Sequence, residues 1–146
     1  KEPTPEKEKT EAELLAEAFE SGARFDDEDE KARDYNARLD QADELQEDIN
    51  EISEQISQAT SQLASVPLTP QQLALLNEIE ELMTERRKTK DTKRQVELDS
   101  KIEAKTKELA DVPVTPEQGD LLDGILEMMD AREATGVKLQ EVFVKD

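Results

Sequence analysis

The sequence predicts an all-α fold of elongated helical hairpins with coiled-coil-like seams, internally duplicated. Three observations carry that reading. First, Val66-Pro67-Leu68-Thr69-Pro70-Gln71-Gln72 recurs as Val112-Pro113-Val114-Thr115-Pro116-Glu117-Gln118, at an offset of 46 residues. The pairs Leu63/Leu109, Ile79/Ile125, Met83/Met129, Arg86/Arg132 and Thr89/Thr135 extend the match without a gap, as a duplication would. Second, Ala42, Leu45, Ile49, Ile52, Ile56, Ala59, Leu63 and Val66 step alternately by three and four, an a/d seam sustained over more than three heptads. Third, four glycines and six prolines in 146 residues are too few for the closely spaced turns of an all-β protein. A chain that is 39% charged and 34% hydrophobic favours long solvated helices over a compact α/β enzyme.

In chain order, residues 1–10 are rich in Pro and charge and read as a disordered tail or linker. Residues 11–22 read as a short amphipathic helix. Leu14, Leu15, Ala18 and Phe19 form its apolar stripe, Thr10 and Glu13 a capping box, and Gly22 a C-cap. Residues 27–89 form the first hairpin, whose long first helix starts at a cap on Asp26 or Asp27 and carries the heptad seam to Ala64.

At each Val-Pro-x-Thr-Pro segment a helix ends and another starts. Pro67 and Pro113 hold the residue before them out of helical backbone. Thr69 and Thr115 are N-caps, and Pro70 and Pro116 occupy the first helical position, where the missing N–H costs nothing. An antiparallel hairpin about the first corner would set Arg86–Lys88 beside Glu44, Glu47 and Asp48. The stretch Arg86 to Arg94 has no apolar residue and reads as a turn, with Thr92 and Gln95 as a further capping box, or else as a continuous solvated helix. Residues 92–135 form the second hairpin, ended by Gly136. Residues 136–146 are a C-terminal extension, in which Val137 to Val144 reads as a short strand with no partner strand or as the start of a further element.

The functional expectation is non-catalytic: a helical spacer or interaction segment of a larger protein or multi-subunit complex. The chain lacks both Cys and His, the source of thiolate nucleophiles, zinc–thiolate sites and the commonest general base. Asp26–Glu30 lacks the alternating ligands, central Gly and distant Glu of a calcium loop, so no metal and no cofactor is expected. The net charge is −19, distributed as −13 over residues 1–62 and −6 over 63–146. The basic cluster Arg86, Arg87, Lys88, Lys90, Lys93 and Arg94 has no interleaved aromatics, which disfavours direct nucleic-acid binding and favours pairing within the chain.

The alternative function is an acidic nucleic-acid mimic that inhibits a DNA-binding enzyme. A protein partner or self-association is expected through Leu14, Leu15, Ala18 and Phe19 and through Leu45, Ile49, Ile52 and Ile56, because the short helix, the first turns of the long helix and the terminal strand all lack a visible cover. No apolar run reaches the length of a membrane span and nothing resembles a signal peptide, so a soluble chain is expected. The opening Lys1-Glu2-Pro3 reads as a processed chain or a piece of a longer one.

Overall fold

The computed structural model describes residues 10–26 and 28–144. Over these the chain forms five helices: α1 (Glu11–Ser21), α2 (Glu30–Ser65), α3 (Pro70–Lys88), α4 (Thr92–Asp111) and α5 (Pro116–Phe143). The tail expected at 1–10 lies outside the described residues except for Thr10.

Local chemistry accounts for the helix ends. Thr10 Oγ1 accepts from the Glu13 amide at 3.2 Å, and Glu13 returns a bond to the Thr10 amide. Gly22 closes α1 at φ 74°, a left-handed conformation that glycine adopts without a Cβ clash. The cap of α2 is not where the sequence reading put it. Asp29, not Asp26, accepts from the Ala32 amide at 2.8 Å, and Asp27 lies outside the described residues. Asn36 explains the later start. Its side-chain oxygen accepts from the Phe25 amide and its Nδ2 donates to the Phe25 carbonyl, both at 2.9 Å, which ties that residue's backbone to the flank of α2.

The two Val-Pro-x-Thr-Pro corners share one geometry. Thr69 sits at φ −73°, ψ 161° and Thr115 at φ −74°, ψ 160°. Each hydroxyl accepts from the amide three residues on at 3.1 Å, and the glutamine there, Gln72 or Gln118, accepts from the threonine amide at 2.9 Å. Both glutamines are buried, and each also reaches the other corner. Gln72 Nε2 donates to the Pro113 carbonyl at 3.1 Å and Gln118 Nε2 to the Pro67 carbonyl at 2.9 Å. At the intervening turn the expected Thr92–Gln95 box does not form. Asp91 caps α4 by accepting from the Lys93 and Arg94 amides, which frees Gln95 Nε2 to donate to the Thr89 carbonyl at 2.8 Å.

The second hairpin pairs as expected, α4 against α5, but the first does not: α2 and α3 are not close neighbours. The close neighbours are α2 with α5, α3 with α4, and α4 with α5, so Arg86 lies against α4 rather than beside Glu44, Glu47 and Asp48. Length decides this. With 36 residues α2 runs about 54 Å at 1.5 Å per residue, and α5, with 28, can cover more of it than α3, with 19. Two cores result. Ile56 and Leu63 of α2 meet Leu76, Ile79 and Met83 of α3, Ile102 and Leu109 of α4, and Leu122, Ile125 and Met129 of α5 in a four-helix core. At the other end Leu15 and Ala18 of α1, Tyr35, Leu39, Ala42 and Ile49 of α2, and Leu139 and Phe143 of α5 form a second, three-helix core.

The second core corrects two expectations. Val137–Val144 is not a strand. Residues 137–143 are the last part of α5 and Val144 is its C-cap, because Met129, Arg132, Gly136, Leu139 and Phe143 continue one inward stripe at steps of three and four. Nor does Gly136 stop the helix. It is buried inside α5 where α4 comes close, and an added Cβ would stand 3.0 Å from Val96 Cγ2. The first turns of α2, expected to be bare, are covered by α1 and by this extension of α5.

Two stability predictions follow from this packing. Gly124→Ala, where an added Cβ meets nothing within 4 Å, should raise unfolding stability by about 0.5–1 kcal/mol, whereas Gly136→Ala should show no such gain. Gln72→Ala strips both the cap amide and the Pro113 carbonyl of a partner, so it should cost about 2–3 kcal/mol against about 1 for Thr69→Ala. Urea titration of the variants checks both.

Candidate functional site

Two features stand apart from ordinary core and surface: a buried charged layer between the two cores, and a carboxylate ridge along α2. The layer begins with seam positions occupied by charge. Along α3 the inward stripe Gln72, Leu76, Ile79, Met83 ends on Arg86, and along α5 the stripe Gln118, Leu122, Ile125, Met129 leads to Arg132. The repeat offset of 46 residues relates the two arginines, and it also relates Asp99 on α4 to Ser53 on α2.

Asp99 holds the layer together. Arg86 Nε donates to Asp99 Oδ1 at 2.6 Å, and Arg132 Nε stands 3.1 Å from the same oxygen, close enough for an ion pair but not aligned for a directed hydrogen bond. Arg132 Nη1 donates to Ser53 Oγ at 3.3 Å. Asp99 and Arg132 are each 2% exposed and Arg86 7%, so two buried cations share one buried carboxylate. Burial pulls Arg132 down to about 10; Asp99 opposes that shift and Arg86 adds to it. It remains a cation at neutral pH. Nη2 of both arginines and Oδ2 of Asp99 have no hydrogen-bond partner among the described residues. The cost of removing these charges from water offsets much of their attraction, so the intact layer adds little net stability, whereas loss of one partner leaves an uncompensated buried charge.

The ridge lies on the opposite side of α2 from the seam. From Leu39 to Glu85 the chain holds eleven acidic residues and no Lys or Arg. Glu44, Glu47, Asp48, Glu51 and Glu54, at helical spacing, are all exposed. None forms an ion pair with a described residue, in contrast to Asp40 and Asp43, which both pair with Arg24. Of the basic cluster near the α3–α4 turn, two members are taken up inside the chain, Arg94 by Glu85 and Glu97 and Arg86 by Asp99, whereas Arg87, Lys88, Lys90 and Lys93 are exposed and form no ion pair with a described residue.

The residues expected to bind a partner face mostly inward. Leu15, Ala18, Ile49 and Ile56 are buried, while Leu14, Phe19, Leu45 and Ile52 are half-buried. Phe19 packs on Phe143, with ring centroids 5.5 Å apart. The corner residues Val66 and Val112 are half-buried against the four-helix core, and Pro67, Thr69, Pro70, Pro113, Thr115 and Pro116 are exposed. Sequence reasoning missed Asp99 and Arg132. The legible signal was a repeated arginine three residues beyond each seam methionine, Met83–Arg86 and Met129–Arg132.

Removing the shared carboxylate should be far worse than removing one cation. Asp99→Ala leaves two unpaired buried guanidiniums and should cost about 3–5 kcal/mol of unfolding stability, whereas Arg132→Met leaves the neutral Arg86–Asp99 pair and should cost about 1 kcal/mol or less. Equal losses in denaturant titration would refute the sharing. No protein-family model, curated protein or solved structure matches the chain.

Proposed function

We propose that this chain is a non-catalytic interaction module, a helical bundle serving as a spacer or assembly segment of a larger protein or complex. In this reading the two helix–corner–helix units are products of duplication with coiled-coil-like seams, and recognition uses the α2 ridge. The observation that carries it is the run Glu44, Glu47, Asp48, Glu51 and Glu54, exposed and unpaired along one continuous helix that the bundle holds rigid. Such a row gathers negative potential along one line, which steers and selects a partner bearing complementary positive charge. Exposed large apolar side chains are few among the described residues, namely Leu73, Val137 and Val144, so charge rather than an apolar stripe sets the partner's chemistry. A second copy would bring the same negative ridge, and self-association through that face would be opposed.

The same ridge supports the second reading, in which the basic partner is a DNA-binding enzyme and the carboxylates stand in for phosphates.

Binding to an immobilised Lys/Arg-rich helical peptide tests the main reading. The chain should bind with an affinity that falls steeply with salt. The combined Glu44→Gln, Glu47→Gln, Glu51→Gln and Glu54→Gln variant should stay helical and bind about tenfold more weakly or worse, since several small exposed-charge contributions sum. Unchanged binding by that variant would sink the ridge. Competition between the chain and duplex DNA for a DNA-binding protein, present or absent, separates the second reading from the first.

A further inference from the structure

We propose that the α2 ridge of one copy receives the α3–α4 turn of a second copy, in a head-to-tail contact. The inference rests on the ridge as a recognition surface and names what it recognises. Unpaired positive charge gathers at the turn between α3 and α4. Arg86 to Arg94 holds six bases and one acid. Arg86 is held by Asp99 and Arg94 by Glu85 and Glu97, while Asp91, the one acid, accepts from the Lys93 and Arg94 amides as the cap of α4. Arg87, Lys88, Lys90 and Lys93 are left exposed and form no ion pair with a described residue. Glu20 of α1 is within electrostatic reach of Lys90 but makes no ion pair with it. The frame beneath these bases is fixed. Arg87 and Lys88 stand on the last turn of α3, Lys93 on the first turn of α4, and Gln95 Nε2 ties the link by donating to the Thr89 carbonyl at 2.8 Å.

The fold thus leaves two surfaces of opposite sign unpaired within the chain: these four bases, and the five acids Glu44, Glu47, Asp48, Glu51 and Glu54. Their sizes correspond. Glu44 to Glu54 spans about 15 Å at 1.5 Å per residue, and packed helices such as α3 and α4 set their ends about 8–10 Å apart before side-chain reach is added. A ridge of matching size is present wherever the turn is, since both belong to one chain. Ridge against ridge repels, as does turn against turn, so the symmetric contact is closed and only the turn of one copy on the ridge of the next attracts. Such a contact is heterologous and repeats from copy to copy. The net charge of −19 opposes any association of copies, but that repulsion is spread over the whole surface. At about 0.15 M salt the Debye length is about 8 Å, which screens distant charges and spares those in contact. Exposed pairs are individually weak, so the contact is weak too, in the high micromolar to millimolar range. A nucleic acid fits the turn less well, because no aromatic side chain stands among its bases to stack on.

Sedimentation of the full chain tests this. At about 0.15 M salt the mean mass should rise with concentration up to about 1 mM, and it should return to that of the monomer at about 1 M salt. The turn variant carries Arg87→Gln, Lys88→Gln, Lys90→Gln and Lys93→Gln, and the ridge variant Glu44→Gln, Glu47→Gln, Glu51→Gln and Glu54→Gln. Each should self-associate about tenfold more weakly or worse. Neither set touches a core or capping side chain, and circular dichroism checks that both variants stay helical. Mixed, they should form a one-to-one dimer that grows no further, since only one turn and one ridge remain to meet. No dimer on mixing, or oligomers that persist in both variants, overturns the proposal. So does a turn that binds polyglutamate while the wild-type chain stays monomeric, which assigns it to a different acidic partner. The ridge reading is checked apart. A monomeric wild-type chain that still binds the Lys/Arg-rich peptide overturns the head-to-tail contact alone, and a chain that binds neither overturns both.

Discussion

A helix of 36 residues with an apolar seam along its length must have that seam covered from end to end, and most of this structure follows from the requirement. The chain neighbour α3 is 19 residues long, so any cover it gives leaves the first half of α2 in water. The cover therefore comes from α5, which runs antiparallel to α2 and continues past Gly136 to Phe143, and from α1, folded back across both. Tyr35 ties this end together, donating to Glu11 of α1 at 2.9 Å while its ring packs on Phe25. Arg38 Nε donates to the Val142 carbonyl at 2.7 Å and so satisfies one of the orphan acceptors at the end of α5.

The same requirement explains why the two halves are alike at the corners and unlike at the hairpins. At a corner, each part of the motif is local: a proline excludes helix before it, a threonine accepts an amide, a glutamine closes the box. The sequence is repeated there and the geometry is too. Along the helices the two halves meet different neighbours. Ser53 and Asp99 occupy matched positions, but only Asp99 is an acid, and it serves both matched arginines. Thr60 and Thr106, by contrast, do the same thing in each half, donating to the carbonyl four residues back at 2.7 and 2.8 Å, because that bond needs nothing from another helix.

What was legible in the sequence divides along this line. Helix existence, both corners and the α1 caps were readable, because cap chemistry acts within four residues. The end of α5 was not. Over Val137–Val144 the β-branched residues alternate loosely, and a window of eight residues fits a strand as well as a helix. The stripe that decides it includes Arg132 and Gly136, neither of which counts as apolar when a seam is scanned. The charged layer was illegible for a related reason. Arg86 belongs to a run of bases that a helix C-terminus favours anyway, so its sequence neighbourhood points to solvent, while its seam position points inward. Only the identity of the facing helix settles the conflict, and that is a property of the packed bundle.

The distribution of charge completes the argument. A chain of net −19 resists compaction, and exposed pairs such as Arg94–Glu85 or Lys105–Glu78 return little. The two apolar cores supply most of the drive to fold, and the carboxylates are tolerated where they cost least, on the solvated side of α2. Tolerance alone would be met by acids interspersed with lysines, as on α4, where Lys101, Lys105 and Lys107 alternate with Glu97, Glu103 and Glu108. Between Leu39 and Ser65 no base relieves the row, although neither the caps nor the seam of α2 would be disturbed by one on its outer face. A one-signed outer face that folding does not require is the property on which the proposed interaction role rests, and it lies on the helix that the other helices cover from end to end.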